Sequence, residues 1–368
     1  MHIPLQNAET AVAVLRAESK QPATLWLLCV ADADAPKIPA LLAAARAAGI
    51  EVCGGVFPGL IHGENRVDRG MIAIGLPGGS QASLGTLAPS EVRWGRPPAS
   101  APSAGTTASL FLFVDCLSPG VANLLEDLYD RFGPGVHLAG AGTGYQDLRA
   151  GPTVFAGAEF VAHAALLVSI PRRTTVAVRH GWKRVQGPFV ASRTDGNVIE
   201  QIDWEPAGAR YLSLVAGEAP SLAGRSVFPD MNALYPLCLA KEGGEDVVRD
   251  PIRVTESGGI ATLSDVPENC VLYLAHGDPE LLVRAAREAV EACGTPDDVE
   301  TCFVSDCYSR TFALGDGFGR ELAVAAAAMR RFTDATPEGV LALGELAAAG
   351  RHRFELYNKT FVVALIHR

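Results

Sequence analysis

The sequence predicts an α/β (α+β) fold: a duplicated βαβ-type N-terminal half with mixed sheets, followed by a strand-rich α+β C-terminal half. Three observations carry this. Two strand–helix–strand segments in the first half have first and second strands starting at 24 and 50 and at 110 and 136, 26 residues apart in each. Both second strands run into a glycine-rich stretch, at 54–59 and at 140–144. After Pro171 the pattern changes to shorter strands broken by turns. With 368 residues, 48% of them apolar, the chain can bury roughly 75% of its extended surface and is expected to form about two domains.

In the first copy, residues 24–30 form a continuous apolar run that reads as a buried strand. A helix is expected at 38–48, a second strand at 50–54 and a later one at 70–76. The second copy repeats the order with strands at 110–114, 136–139 and 164–170. Its helix, at 120–132, sets Val121, Leu124, Leu125 and Leu128 on one face. Residues 77–107, rich in Pro, Gly, Ser and Ala, read as a long surface connection and as the segment expected to move most. The second half is expected to hold strands at 174–180, 188–194, 197–204, 253–255, 260–263 and 271–275. Helices at 280–293 and 319–331 then flank a strand at 301–305, and a final strand covers 360–366. The expected division is 1–175, with the 77–107 linker inside it, and 176–368.

The 31 Lys+Arg against 41 Asp+Glu leave a formal charge of −10 with no basic run, which argues against nucleic acid as a partner. Residues 1–17 lack the pattern of a secretory signal, and no apolar stretch is long enough for a spanning helix. A soluble cytoplasmic protein with no membrane insertion is expected, its eight scattered cysteines reduced. Phosphate-loop, dinucleotide-binding, zinc, covalent-haem and Gly-x-Ser-x-Gly patterns are absent. The glycine stretches read as matched turns requiring positive φ, which would place bare backbone of Gly140, Gly142 and Gly144 around a ligand cleft.

Several residues could build a site. His180 ends a strand beside Arg179, with Gly181 permitting close approach and Trp182 offering a flat apolar plane. Arg193, Arg249 and Asp250 lie among apolar strands, where an Arg–carboxylate fork suits an amino acid or a propionate. The same Arg249–Asp250 pair reads equally as a structural ion pair at the Pro251 turn. Tyr235 and Asn358 would add neutral hydrogen bonds. A different class of activity, an enzyme with a cysteine nucleophile, would use Cys53 or Cys238, but neither has a basic neighbour in sequence.

Residues 50–61, 70–76, 138–145, 153–155 and 164–170 together resemble the N-terminal FIST domain. Residues 235–237, 245–252, 265–268, 344–346 and 356–360 are similar to its C-terminal partner. The resemblance implies a non-enzymatic bacterial sensory protein that binds a small ligand; with no chain left over for an output domain, it would act on a separate signalling protein. Residues 178–182, 187–193 and 196–199 resemble a stand-alone subgroup of haem-binding nitric oxide sensors that inhibit a histidine kinase. That implies haem b, with His180 as the first candidate for axial metal ligand and His62 as the second, and Trp182 and Arg193 beside the cofactor. The alternative is an amino acid or related metabolite held by Arg193, Arg249 and Asp250, with Tyr235 and Asn358 adding neutral hydrogen bonds, without haem.

Overall fold

The computed structural model describes residues 1–19, 25–98, 109–241, 245–348 and 353–368. The fold is α+β with mixed sheets in both halves, as expected, but the βαβ-type unit occurs three times. In the first unit, strand Trp26–Ala31 pairs in parallel with Val52–Phe57 and antiparallel with a return strand, Met71–Gly75. The second unit repeats this with Ser109–Asp115, His137–Thr143 and Ala164–Ile170. The third uses Val299–Cys307, Pro337–Ala342 and Phe361–His367. A leading strand, His2–Ile3, Gln81–Ala88 or Thr174–Arg179, flanks each return strand.

The units are closed into a ring by exchange. Between its second and return strands each unit extends a hairpin that completes a neighbour's sheet. The first unit's Gly59–His62 pairs with Pro337–Ala342 of the third. The second unit's Val154–Ala156 pairs with Val52–Phe57 of the first, and the third unit's Glu345–Ala348 with His137–Thr143 of the second.

The strands are apolar on both faces because both faces are covered. In Trp26–Ala31, Trp26, Leu28 and Val30 face helices Ala8–Glu18 and Ile38–Ala47, while Leu27, Cys29 and Ala31 join a core shared by all three sheets. At its centre Phe57 meets Phe113 edge-on at 5.1 Å, and Phe111 meets Phe303 at 5.3 Å. Helix Val121–Phe132 covers the second sheet, and Pro279–Ala292 and Phe318–Met329 cover the third. A fourth sheet is inserted in the third unit, between Thr174–Arg179 and Pro279–Ala292; its longest strand is Lys183–Asp195.

Two expectations are corrected. The stretch at 77–107 is not merely a connection: Gln81–Ala88 and Glu91–Trp94 form a hairpin on the second sheet, while 99–108 lies outside the described residues. The glycine stretches are not turns. Gly54, Gly55, Gly140 and Gly142 lie within strands Val52–Phe57 and His137–Thr143, none of these or Gly59 or Gly144 has positive φ, and what they allow is close approach. A Cβ on Gly54 would lie 1.8 Å from the carbonyl oxygen of Leu28, on Gly140 1.9 Å from that of Leu112, and on Gly339 2.0 Å from that of Val304. The three contacts sit at the same register of the three parallel pairs. The third copy is masked in sequence because its crossover carries two helices, Tyr308–Leu314 and Phe318–Met329. Among the described residues, no helix is long and apolar enough to cross a membrane.

Gly339→Ala is expected to destabilise the chain by about 1–3 kcal/mol or more, because the carbonyl it would strike belongs to backbone that cannot swing away. Gly319→Ala, in a helix and with nothing within 4 Å, is expected to leave stability unchanged or slightly raised. Urea unfolding midpoints check both.

Candidate ligand cleft

Open α/β sheets bind ligands beyond the carboxyl ends of their parallel strands, and the third unit carries a cleft there. About 180 Å³ in volume, it is bounded by Cys307, Tyr308, Ser309 and Phe312 at and after the end of the first strand and by Ala342 and Leu343 at the end of the second. The inserted sheet contributes Asp250, Ile252 and Leu263, and the segment Val227–Met231 contributes Phe228. The last wall, residues 146–148, comes from the second unit. That wall is tied to the first unit, since Asp32 accepts hydrogen bonds from the Gln146 amide at 2.9 Å and from Arg149 at 3.0 Å.

Apolar side chains form most of this surface, and the floor beneath it is polar. Lys359 has no exposed side-chain area; its Nζ lies 3.3 Å from Asp250 Oδ2 and donates to Ser309 Oγ at 3.3 Å. Asn232 Nδ2 donates to the other Asp250 oxygen at 2.8 Å. Burial pushes the Asp250 carboxyl above its ordinary range, against the pull of Lys359. Cys307 Sγ sits 3.2 Å from Ser309 Oγ, and burial, reinforced by the neighbouring Glu345, keeps it a thiol. Lys359 also has φ of 60°, a conformation that a residue with a Cβ adopts only when its surroundings hold it there.

Behind this floor lies a buried charge cluster. Arg310 Nη1 donates to the carbonyls of His180 (2.6 Å) and Lys359 (2.9 Å), its Nη2 to the carbonyl of Leu282 (3.0 Å), and its Nε to Glu321 Oε1 (3.1 Å). Asp306 faces Arg310 Nε at 3.4 Å, and all three side chains are fully buried. Burial, followed by the charge of Glu321, raises the Asp306 carboxyl well above its usual range. Glu345 Oε2 accepts from the Thr360 amide (3.0 Å) and hydroxyl (2.7 Å), and burial pushes its pKa up to about 8.

The residues singled out in sequence are distributed unevenly around this centre. Asp250 lines the cleft. Trp182 is buried behind it, its ring 5.4 Å from Lys359 Nζ and 5.2 Å from the Arg310 guanidinium. Asn358 adjoins Lys359 in the chain, and neither of its buried amide atoms has a hydrogen-bond partner among the described residues. Arg249 is buried and bonded to the carbonyls of Asp265 (2.7 Å), Val248 and Leu356 (3.2 Å each), so it braces the inserted sheet. Arg193 is 65% exposed and paired with Glu200 at 2.6 Å. Tyr235 stacks on His276 at 4.8 Å. Gly142 and Gly144 adjoin the Leu343 wall, the Gly142 amide donating to Gly344 and Gly144 packing under Leu343, whereas Gly140 packs against Leu112 within the second sheet and does not reach the cleft. Cys53 and Cys238 are enclosed in the core, and burial pushes both thiols far up.

The sequence reading missed Lys359, Ser309, Cys307 and the Arg310 cluster. A signal existed. Polar residues crowd at 305–310 directly after Phe303-Val304, and Asn358-Lys359-Thr360 directly precede the buried strand Phe361–His367. Charges against such strands need built partners.

A haem would need an imidazole facing a wide enclosed space. His180 Nδ1 accepts the Trp182 amide at 2.8 Å, leaving the proton on Nε2, which faces Glu245 at 3.5 Å; burial lowers the pKa of this ring. His62 lies on the exchanged hairpin with 42% of its side chain exposed and Nδ1 on Glu338 at 2.9 Å. Among the described residues no histidine lines the cleft, and no group of His, Cys, Asp or Glu forms a metal site. Both imidazoles are thus turned to carboxylates rather than to the cleft.

The raised pKa of Glu345 makes stability pH-dependent. The folded chain keeps that proton up to about pH 8, whereas the unfolded chain releases it near 4.5. The contribution is full below 4.5 and is lost as pH rises toward 8. Comparing Tm from pH 5 to 8, the wild type is expected to lose stability relative to Glu345→Gln, whose amide oxygen still accepts both Thr360 bonds.

The FIST N domain model matches residues 24–205 and the FIST C domain model residues 208–348, while no curated protein matches the chain. FIST domains are small-ligand sensing domains of signal transduction, a role in keeping with a cleft built where units meet. Matched along most of its length by the two models in their expected order, the chain belongs to the FIST family.

Proposed function

We propose that this protein senses a small metabolite of amino-acid size in the cleft over Asp250, Ser309 and Lys359, and that occupancy is read by a separate signalling protein such as a histidine kinase. The observation that carries the reading is the make-up of the cleft: walls from the second unit, the third unit and the inserted sheet meet over a buried floor with one carboxylate and one ammonium. An amino acid fits that pattern. Its ammonium would meet Asp250, its carboxylate would meet the Ser309 hydroxyl with the Lys359 ammonium 3.3 Å behind it, and an apolar side chain would lie against Phe228, Ile252 and Phe312. A ligand touching all three walls favours whichever arrangement brings them together, and that population shift is the signal. The histidines proposed for haem are engaged elsewhere, which favours a metabolite over nitric oxide sensing through haem.

A thermal-shift screen of amino acids and related metabolites tests this. A cognate ligand at about a hundred times its Kd stabilises the fold by about 2.7 kcal/mol. Phe312→Ala, which removes a wall residue already 44% exposed, is expected to fold normally and to diminish the shift. A panel without any stabilising compound, together with a Soret band on haem loading that disappears in His180→Ala, would return the haem reading to first place.

A further inference from the structure

We infer that the cleft is also a site of acyl transfer, in which Ser309 attacks the carbonyl of a small ester or amide with an apolar acyl group, Lys359 serves as its base, and Asp250 positions that base. The inference rests on the cleft being open to a ligand, as the sensing reading does, but not on what the ligand signals.

The groups stand in the order such chemistry needs. Ser309 lines the cleft and is partly exposed; Lys359, fully buried, lies 3.3 Å behind its hydroxyl; Asp250 lies 3.3 Å from Lys359 and is itself fixed by Asn232. A ligand therefore reaches the hydroxyl and not the amine. Cys307, the other nucleophile at the cleft, is held as a thiol by burial.

The three units supply an internal comparison. Register places Arg69, His163 and Lys359 at one position, immediately before or one residue ahead of the return strand. Each lies beside a polar group that follows the first strand: Asp34, Ser118 or Ser309. Arg69 and His163 are 76% and 59% exposed, whereas Lys359 is 0% exposed. Among these three positions, only the third holds its side chain out of water beneath the cleft.

One ionisable proton is shared between Lys359 and Asp250. The step requires that proton to rest on Asp250, 3.3 Å away, so that Nζ can accept from the Ser309 hydroxyl. Ser309 Oγ bonds to the carbonyl carbon as its proton passes to Nζ. The tetrahedral intermediate collapses, the bond from carbon to the leaving oxygen or nitrogen breaks, and Nζ returns the proton to that group. Water then attacks the acyl-serine, gives its proton to Nζ, and Ser309 Oγ leaves and takes it back, releasing the acid.

The probe is p-nitrophenyl butyrate added to the full chain, with nitrophenolate release followed by absorbance and the acyl group located by peptide mass spectrometry. The expected result is an adduct in the peptide carrying Ser309, with release slowed about a hundredfold or more in Ser309→Ala. Lys359→Arg keeps a cation beside Asp250 but cannot act as base, so the rise of acylation with pH is expected to disappear; a Tm close to the wild type shows that this variant folds. Unchanged release in Ser309→Ala, or an adduct on Cys307 or on a surface lysine, overturns the inference. Stabilisation by metabolites without any acyl adduct overturns it too while leaving the sensing reading in place, and an adduct without metabolite stabilisation does the reverse.

Discussion

The fully buried guanidinium of Arg310 is the interaction on which the third unit depends. It joins four elements that are far apart in the chain: the end of the leading strand at His180, helix Pro279–Ala292 at Leu282, helix Phe318–Met329 at Glu321, and Lys359 ahead of the return strand. A charge without solvent is tolerable only when its donors are matched, and removing one partner of such a pair typically costs about 3–5 kcal/mol. Here three carbonyls and a carboxylate satisfy it. The raised pKa of Asp306 fits the same requirement, because a second full negative charge beside Glu321 would be costly in that space. By fixing the Lys359 carbonyl, Arg310 also fixes where the Lys359 side chain begins, and with it the floor of the cleft.

That floor is one variation on a repeated plan. The hairpin exchange gives every sheet a strand pair from another unit, so no unit can be removed without opening an edge in its neighbour. The shared core enforces the same dependence through Phe57, Phe111, Phe113 and Phe303. At the position two residues past the glycine contact, the first and second units carry Val30 and Val114, and the third carries Asp306. Charge has entered the third unit where its siblings keep apolar packing.

How much of this was legible in the sequence follows from where the information resides. Strands covered on both faces appear as continuous apolar runs, so Trp26–Ala31, Ser109–Asp115, Ala164–Ile170 and Phe361–His367 were all anticipated to within a residue or two. The exchanged hairpins, as short as three residues per strand, take their stability from a neighbour's sheet and leave no local pattern. Gly54 and Gly140 were noticed, but sequence does not distinguish a glycine needed for positive φ from one needed for contact with a carbonyl. Within the site, Asp250, Trp182 and Asn358 were singled out because polar or aromatic residues beside buried strands stand out. Ser309 and Lys359, fifty residues apart, form a pair only because the return strand lies against the first strand, and no spacing rule announces it.

The inserted sheet sets the third unit apart from its siblings. Arg69 and His163 occupy the position of Lys359 but remain largely in water, whereas Asp250, Ile252 and Leu263 lie over the third position. Covering the third position removes solvent from the amine, and in that drier surrounding each charge acts more strongly on its partner. The insertion also carries Arg249, which grips the Leu356 carbonyl just ahead of Lys359. The covering sheet and the covered lysine are thus joined on two sides, through Asp250 at the side chain and through Arg249 at the backbone. The placement of the inserted sheet and that of the third unit's floor are therefore set by the same two contacts.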